Sequence, residues 1–326
     1  MYLLIGIQKI YYLPGRRGES SMQPVMGTEQ DLLLKQKKKN LNRKRLDTWL
    51  LLLPTLGIFL FFFLLPLFFL FITSFKTFDP SSGIGSEWTL QNYIKFISDP
   101  FYLGVVWRTV KIALITTLVT IIISYPVAFQ ISKAKGRAKN YLTLLVLSPL
   151  LISMVIRCYG WVILLSNNGV VNNTLMSLGW IDAPLTLLYT EFSVVIGMVH
   201  VLFPYMVLSI MGSIERIDPS VIRASQNLGA SSFRTFFSVL LPLTLPGIFA
   251  GSVMVFSLSV SSFVTPAILG GPQVKVMSYL TYEQVAVMLN WPYGGAIGFL
   301  LIFIATVTII AYSKILARSE KGVAIQ

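Results

Sequence analysis

Charged side chains are scarce in this sequence. Of 326 residues, 12% are Asp, Glu, Lys or Arg, about half the share of a soluble domain. Hydrophobic residues make up 55%. Too little charge is left to cover a water-facing surface, which excludes an ordinary soluble fold and a disordered chain. Cysteine and histidine each occur once, as Cys158 and His200. A lone cysteine excludes an intrachain disulfide, and with a lone histidine it excludes a Cys/His zinc cluster, so no metal site is expected. A Ser–His or Cys–His dyad could draw only on His200, so no catalytic residues are expected. The chain contains no Gly-Lys dipeptide. It therefore lacks a G-x-x-x-x-G-K-[ST] phosphate loop and cannot hydrolyse ATP by that route, and no cofactor is expected.

Long apolar runs are present instead. A helix crossing the roughly 30 Å hydrocarbon core needs about 20 mostly apolar residues. Stretches without fixed charge cover 48–75, 112–132, 192–214, 235–274 and 284–313, and a further one at 140–165 is interrupted by Arg157. They predict six transmembrane helices near 49–72, 109–132, 141–165, 192–213, 245–269 and 293–315. Prolines recur within or beside them, at 54, 66, 126, 149, 204, 246 and 266. Two readings stand for these prolines: kinked packing, or hinges in a machine that changes shape.

Basic residues outnumber acidic ones 26 to 13, and their placement sets the topology. Segments 1–47, 133–140 and 214–243 and the C-terminal tail hold twenty of the 26 Lys and Arg. The other connections hold Lys76, Lys95, Arg108, Lys111 and Lys275. This alternation places both termini in the cytoplasm. Basic clusters that flank apolar spans do not form one face of a folded domain, so nucleic acid is not an expected partner. The run Lys35 to Arg45 is a topology anchor or also meets anionic lipid. The expected organisation is a basic cytoplasmic tail at 1–47, with 1–30 disordered, a membrane domain at 48–316 that includes the cytoplasmic loop 214–243, and a cytoplasmic tail at 317–326.

The cytoplasmic segment 214–243 carries its own folding signals. Asp218 is a good N-cap and Pro219 suits the first helical position. The helix should run to Leu228, with Gly229 as its left-handed terminator. Ser231 or Ser232 then caps a second helix that runs to about Leu241 and is ended by Pro242. Val221, Ile222, Ser225 and Leu228 share one face of the first helix. Arg223, Gln226 and Asn227 share the other. Such a compact helix–turn–helix suits docking into a groove on a partner.

This segment resembles the signature loop of ATP-binding-cassette importer permeases of the type I class. That signature runs Glu-Ala-Ala, three residues, Gly, nine residues, Ile, one residue, Leu-Pro. Here the same spacing holds Arg223-Ala224-Ser225, Gly229, Val239 and Leu241-Pro242. Arg223, Ser225 and Val239 depart from the pattern, and Arg223 leaves no salt bridge of the kind a Glu there would make. The resemblance implies that Arg223, Ala224, Ser225, Leu228, Gly229, Val239, Leu241 and Pro242 form an ATPase-coupling element. It extends over about 45–316. Residues 157–161 with 167–172, 263–272 and 290–296 are similar to segments of spermidine/putrescine-type permeases. The implied fold is all-α and integral to the membrane, with six transmembrane helices in the type I importer permease arrangement. The implied partners are ATPase subunits, a second homologous permease in a heterodimer, an extracytoplasmic solute-binding protein and the lipid bilayer. The implied location is the bacterial plasma membrane, multi-pass.

Pathway candidates are fewer. Arg157 is the one fixed charge within a span, and two roles stand for it: a structural or interface Arg that snorkels outward, or a residue that lines the pathway or braces its outer gate. Tyr159, Trp161, Tyr205, Ser261, Ser262 and Trp291 offer aromatic faces or hydroxyls to a cation, or serve as packing and interface belt. The spans contain no Asp or Glu, so substrate specificity is expected to lie mostly in the binding protein. An importer permease for another small organic solute or iron shares many of these features. A secondary transporter or channel would be expected to show inverted repeats or intramembrane ionisable pairs, and a membrane enzyme a convergent nucleophile, base and metal set. The sequence shows none of these.

Overall fold

The structure, a computed structural model, describes residues 52–323, with side chains described to residue 314. The expectations for 1–47 and for the final tail residues lie outside the described residues. The chain divides into two units, Met1–Pro66 and Leu67–Gln326. Residues 52–66 of the first are helical with a π turn at Leu60–Leu64, and Phe61, Phe62 and Ile58 are exposed. Apolar side chains without protein cover belong against lipid or another helix.

Among the described residues, six helices are long and apolar enough to span a membrane. They are α1 (Leu52–Ser74), α3 (Pro100–Lys133), the α5–α6 segment (Met154–Ser177), α7 (Glu191–Ile214), α9 (Ser232–Ser261) and the Trp291–Lys314 part of α11 (Trp291–Val323). Shorter helices join them: α2 (Gln91–Ser98), α4 (Gly136–Leu147), α8 (Pro219–Asn227) and α10 (Met277–Tyr282). Among the described residues there is no strand, only an isolated bridge between Lys76 and Trp88.

Within the second unit α3, α7 and α9 pack on one another around Met198, Leu202, Met206, Ile210, Ile248 and Val255. Helix α11 packs on α9 and on α10. Residues 67–74 add Phe71, whose ring meets Phe299 edge-on at 5.1 Å. Buried hydroxyls in these helices turn back on their own turns. Thr117 donates to the Ala113 carbonyl and Thr120 to that of Thr116. A polar side chain in an apolar setting must find an acceptor, and the residue four back is the nearest.

Three boundaries differ from expectation. The helix expected over 109–132 starts at Pro100, because Asp99 accepts from the Phe101 amide and Pro100 takes the first helical position. The single helix expected over 141–165 is broken. Helix α4 ends at Leu147, a 3-10 turn holds Ser148–Leu151, and Ile152 and Ser153 are non-helical before α5 (Met154–Leu165). Pro149 has no amide to donate and its ring crowds the carbonyl four residues back, so the helix stops there. A second short helix, α6 (Val170–Ser177), follows α5. The helix expected over 245–269 runs instead from Ser232 to Ser261.

That last difference corrects the reading of Pro242 as a helix terminator. A π turn at Phe236–Leu240 precedes it, and the Leu241 amide donates to the Phe236 carbonyl five residues back. The widened turn shifts the register, so the proline enters as an early residue of the following α-helical stretch, Leu241–Ser261. The second helix of the 214–243 loop and the fifth span are therefore one rod.

Candidate functional site

The loop between α7 and α9 is capped at each turn. The Asp218 carboxylate accepts from the Ser220 amide at 2.8 Å and opens α8. That amide, then the Ser220 hydroxyl, hold the Asp218 carboxyl below its ordinary value. The cap is thus charged at neutral pH, and its contribution fades only as pH falls through that lowered value. At the other end Gly229 has φ +84°. Its amide donates to the Gln226 carbonyl at 2.9 Å, and the Ala230 amide donates to that of Ser225 at 3.2 Å. These two bonds form a Schellman terminator, which needs a left-handed residue at its centre. Ser231 then accepts from the Arg234 amide at 3.3 Å and starts α9.

The hairpin is also fastened to the membrane helices. The Ser225 and Thr235 hydroxyls lie 3.1 Å apart. Ile222 and Gln226 face Phe129, Lys133, Phe236 and Leu240 across a small cavity of about 120 Å³. Lys139 pairs with Glu215 at 3.0 Å, joining α4 to the start of the loop. The other side of α8 is open. Val221 is 41% exposed, Leu228 89% and Phe233 75%. The four residues expected on one face therefore divide: Ile222 turns inward, Val221 and Leu228 turn out, and Ser225 lies between, against Thr235 and at the edge of the open side. A cleft of about 510 Å³ there gathers Val221, Ala224, Ser225, Leu228, Gly229 and Val239, with Arg234 at its wall. Five of the eight expected coupling residues meet in this cleft. Arg223 lies outside it, and Leu241 and Pro242 lie deeper, where Leu241 joins the core.

The second helix of this loop belongs to a close helix pair. A Cβ on Gly247 would strike Ser213, and it would come 2.8 Å from the Ser209 carbonyl; one on Gly251 would lie 2.7 Å from the Met206 sulfur. Ser209 donates to the Gly247 carbonyl at 2.8 Å. Small residues four apart on each helix, Ser209 with Ser213 and Gly247 with Gly251, bring the two backbones together. At this separation α7 and α9 cannot slide independently, so a displacement of α9 carries α7 with it. Tyr125 adds α3 to the pair. Thr244 gives its proton to the Leu241 carbonyl at 2.9 Å, which leaves the Tyr125 hydroxyl to donate to Thr244 at 3.0 Å.

The seven pathway candidates do not converge on one site. Arg157 and Trp161 stand one turn apart on α5. Trp161 donates from its indole nitrogen to Nδ1 of His200 on α7 at 3.1 Å. His200 must then carry its proton on Nε2, so neither of its nitrogens can accept from Arg157. The Nε and Nη1 atoms of Arg157 are buried with no hydrogen-bond partner among the described residues. Next to it, Cys158 is buried against the Thr265 hydroxyl at 3.7 Å. Tyr159 is 58% exposed and Trp291 44%. Tyr205 packs on the core of the second unit. Ser261 is absorbed by its own helix, donating to the Ser257 carbonyl, while the Ser262 hydroxyl is buried without a partner. Sequence reasoning missed two features. One is the Trp161–His200 contact, which joins residues 39 positions apart. The other is the matched small-residue spacing on α7 and α9, which was visible in the sequence.

No protein family profile matches the chain. It is 34% identical to the spermidine/putrescine transport system permease protein PotB of Haemophilus influenzae over 255 residues, 78% of this chain and 89% of that protein. It is 32% identical to PotB of Escherichia coli over 262 residues, 80% of this chain and 95% of that protein. This chain belongs to the PotB permease family. Its backbone agrees: it superposes with a TM-score of 0.71 on a chain of a bacterial alginate ABC transporter crystallised with its pentasaccharide-bound periplasmic protein. That match covers 87% of this chain and 98% of the other at 20% identity. This PotB-family chain is thus a multi-pass membrane permease subunit of the ABC importer type, and not itself a catalyst.

Proposed function

We propose that this permease carries a polyamine, spermidine or putrescine, as one half of a translocation pathway in a bacterial inner membrane. The other half is a second, homologous permease in a heterodimer. Separate ATPase subunits hydrolyse ATP and move the 214–243 loop, a periplasmic binding protein delivers the solute, and both termini are cytoplasmic. The observation that carries the reading is identity above 30% to spermidine/putrescine permeases along most of both chains. The loop supports the motor: a rigidly capped hairpin, with an open apolar cleft, continuous with a helix that crosses the membrane. Proteoliposomes containing the full complex should take up labelled spermidine or putrescine only with ATP and binding protein present. Uptake of another solute class, with none of either polyamine, would refute the substrate assignment.

Arg157 supplies a second test. A buried guanidinium with orphaned donors destabilises the isolated subunit, since a buried charged donor without an acceptor carries its full desolvation penalty. We place Arg157 beside the pathway, where another component of the complex satisfies it. Arg157→Met should then insert and assemble at least as well as the parent while uptake falls about tenfold or more, the scale of one lost charge-assisted contact. Unchanged uptake would leave Arg157 a purely structural residue.

A further inference from the structure

Beyond its Asp218 cap, the tip of the hairpin carries charge of one sign only. Between Pro219 and Leu243 the charged residues are Arg223 and Arg234, with no Asp or Glu. Both are exposed, and neither forms an ion pair among the described residues. Arg234 stands at the wall of the 510 Å³ cleft. Arg223 is one position from Ala224, about 100° around α8, on the far side of the arc formed by Ala224, Leu228 and Val221. Arg234 therefore borders the exposed apolar strip of Val221, Leu228 and Phe233, while Arg223 stands on the opposite face of α8 with Gln226 and Asn227. The Asp218 carboxylate accepts from the Ser220 amide and feels the Arg223 charge without forming an ion pair with it among the described residues. The signature loop that this segment resembles has Glu where Arg223 stands, so the sign of the tip is reversed.

We propose that the ATPase surface receiving this loop is an apolar slot rimmed by carboxylates that face Arg223 and Arg234. This rests on the reading of 214–243 as the coupling loop and adds the chemistry of its partner. A receptor built for an acidic tip would set like charges together, which costs several kcal/mol. The reversal therefore also excludes foreign ATPases, a repulsive element of specificity. Exposed ionic contacts at a rim act on encounter and on salt dependence, whereas the buried apolar strip supplies the bulk of the affinity.

The test measures association of the ATPase subunits with the assembled permease pair in nanodiscs. The parent is compared with Arg223→Glu plus Arg234→Glu and with Leu228→Asp. All three positions are exposed, so the variants keep the fold. The double reversal should bind roughly tenfold more weakly at low salt, and the parent's affinity should fall with salt while that of the double reversal does not. Leu228→Asp should weaken binding at every salt concentration. If Leu228→Asp weakens binding but the double reversal binds as well as the parent or better, the acidic rim is refuted and the coupling role stands. If Leu228→Asp binds like the parent, the coupling role itself fails.

Discussion

Gly229→Val is expected to leave membrane insertion intact and to separate ATP hydrolysis from transport. At φ +84° nothing lies within 4 Å of an added Cβ, so valine meets no neighbour and the whole effect is backbone strain. A non-glycine residue in the left-handed region costs roughly 1–2 kcal/mol, and more when β-branched. That cost is relieved by opening the Gly229–Gln226 and Ala230–Ser225 bonds that end α8. Once they open, α8 no longer holds its angle to α9, and the motor pushes on a loose end. Uptake per ATP hydrolysed should fall at least about tenfold, the equivalent of ~1.4 kcal/mol in coupling. Gly229→Asn supplies the control, because Asn enters the left-handed region with little strain and should keep most of the coupling. Equal loss in both variants would mean that the glycine is needed for close approach by the ATPase and not for its torsion.

The second large effect belongs to the α7–α9 seam. Gly247→Leu should force these helices apart, since the new Cβ alone strikes Ser213 and crowds the Ser209 carbonyl. Overpacking a tight contact costs about 1–3 kcal/mol when side chains can move. Here one of the atoms is backbone, so the upper end applies. The bond from Ser209 to the Gly247 carbonyl should also be lost. The expected outcome is a lower thermal midpoint of the purified complex and little transport. Gly212→Ala is the matched control, as nothing lies within 4 Å of a Cβ there. It should be silent in both measurements.

Much of the loop was legible because its signals are local. Asp218 and Pro219 at the start of α8 and Gly229 beyond its end act within one turn of chain, and each sits where helix-capping chemistry places it. Span number followed from apolar length for the same reason. Prolines show where local reading fails. Pro126, Pro204 and Pro246 lie inside continuous helices, Pro242 rides through behind a π turn, and Pro149 ends its helix. The ring removes the same amide each time. What differs is whether neighbours absorb the freed carbonyl, and neighbours are a property of packing.

The candidate residues divide along the same line. Val239 lies ten positions past Gly229, and spacing alone put them in one motif; the turn at 228–231 folds them into one cleft. The aromatic and hydroxyl candidates in the spans had no such local device, and most proved to be separate. Arg157, Trp161 and His200 became a cluster only because α5 lies against α7.

The sequence by itself determined that the chain lives in a bilayer, how many times it can cross, and where one hairpin begins and turns. Those follow from transfer of apolar length out of water and from hydrogen bonds closed within a turn. The tertiary structure alone decided that the hairpin is continuous with the fifth span, that glycines 247 and 251 clamp that span to the fourth, and that two nitrogens of the Arg157 guanidinium are left without an acceptor among the described residues. Each of these depends on which atoms meet across helices, where packing density leaves room for one arrangement and no local rule chooses it.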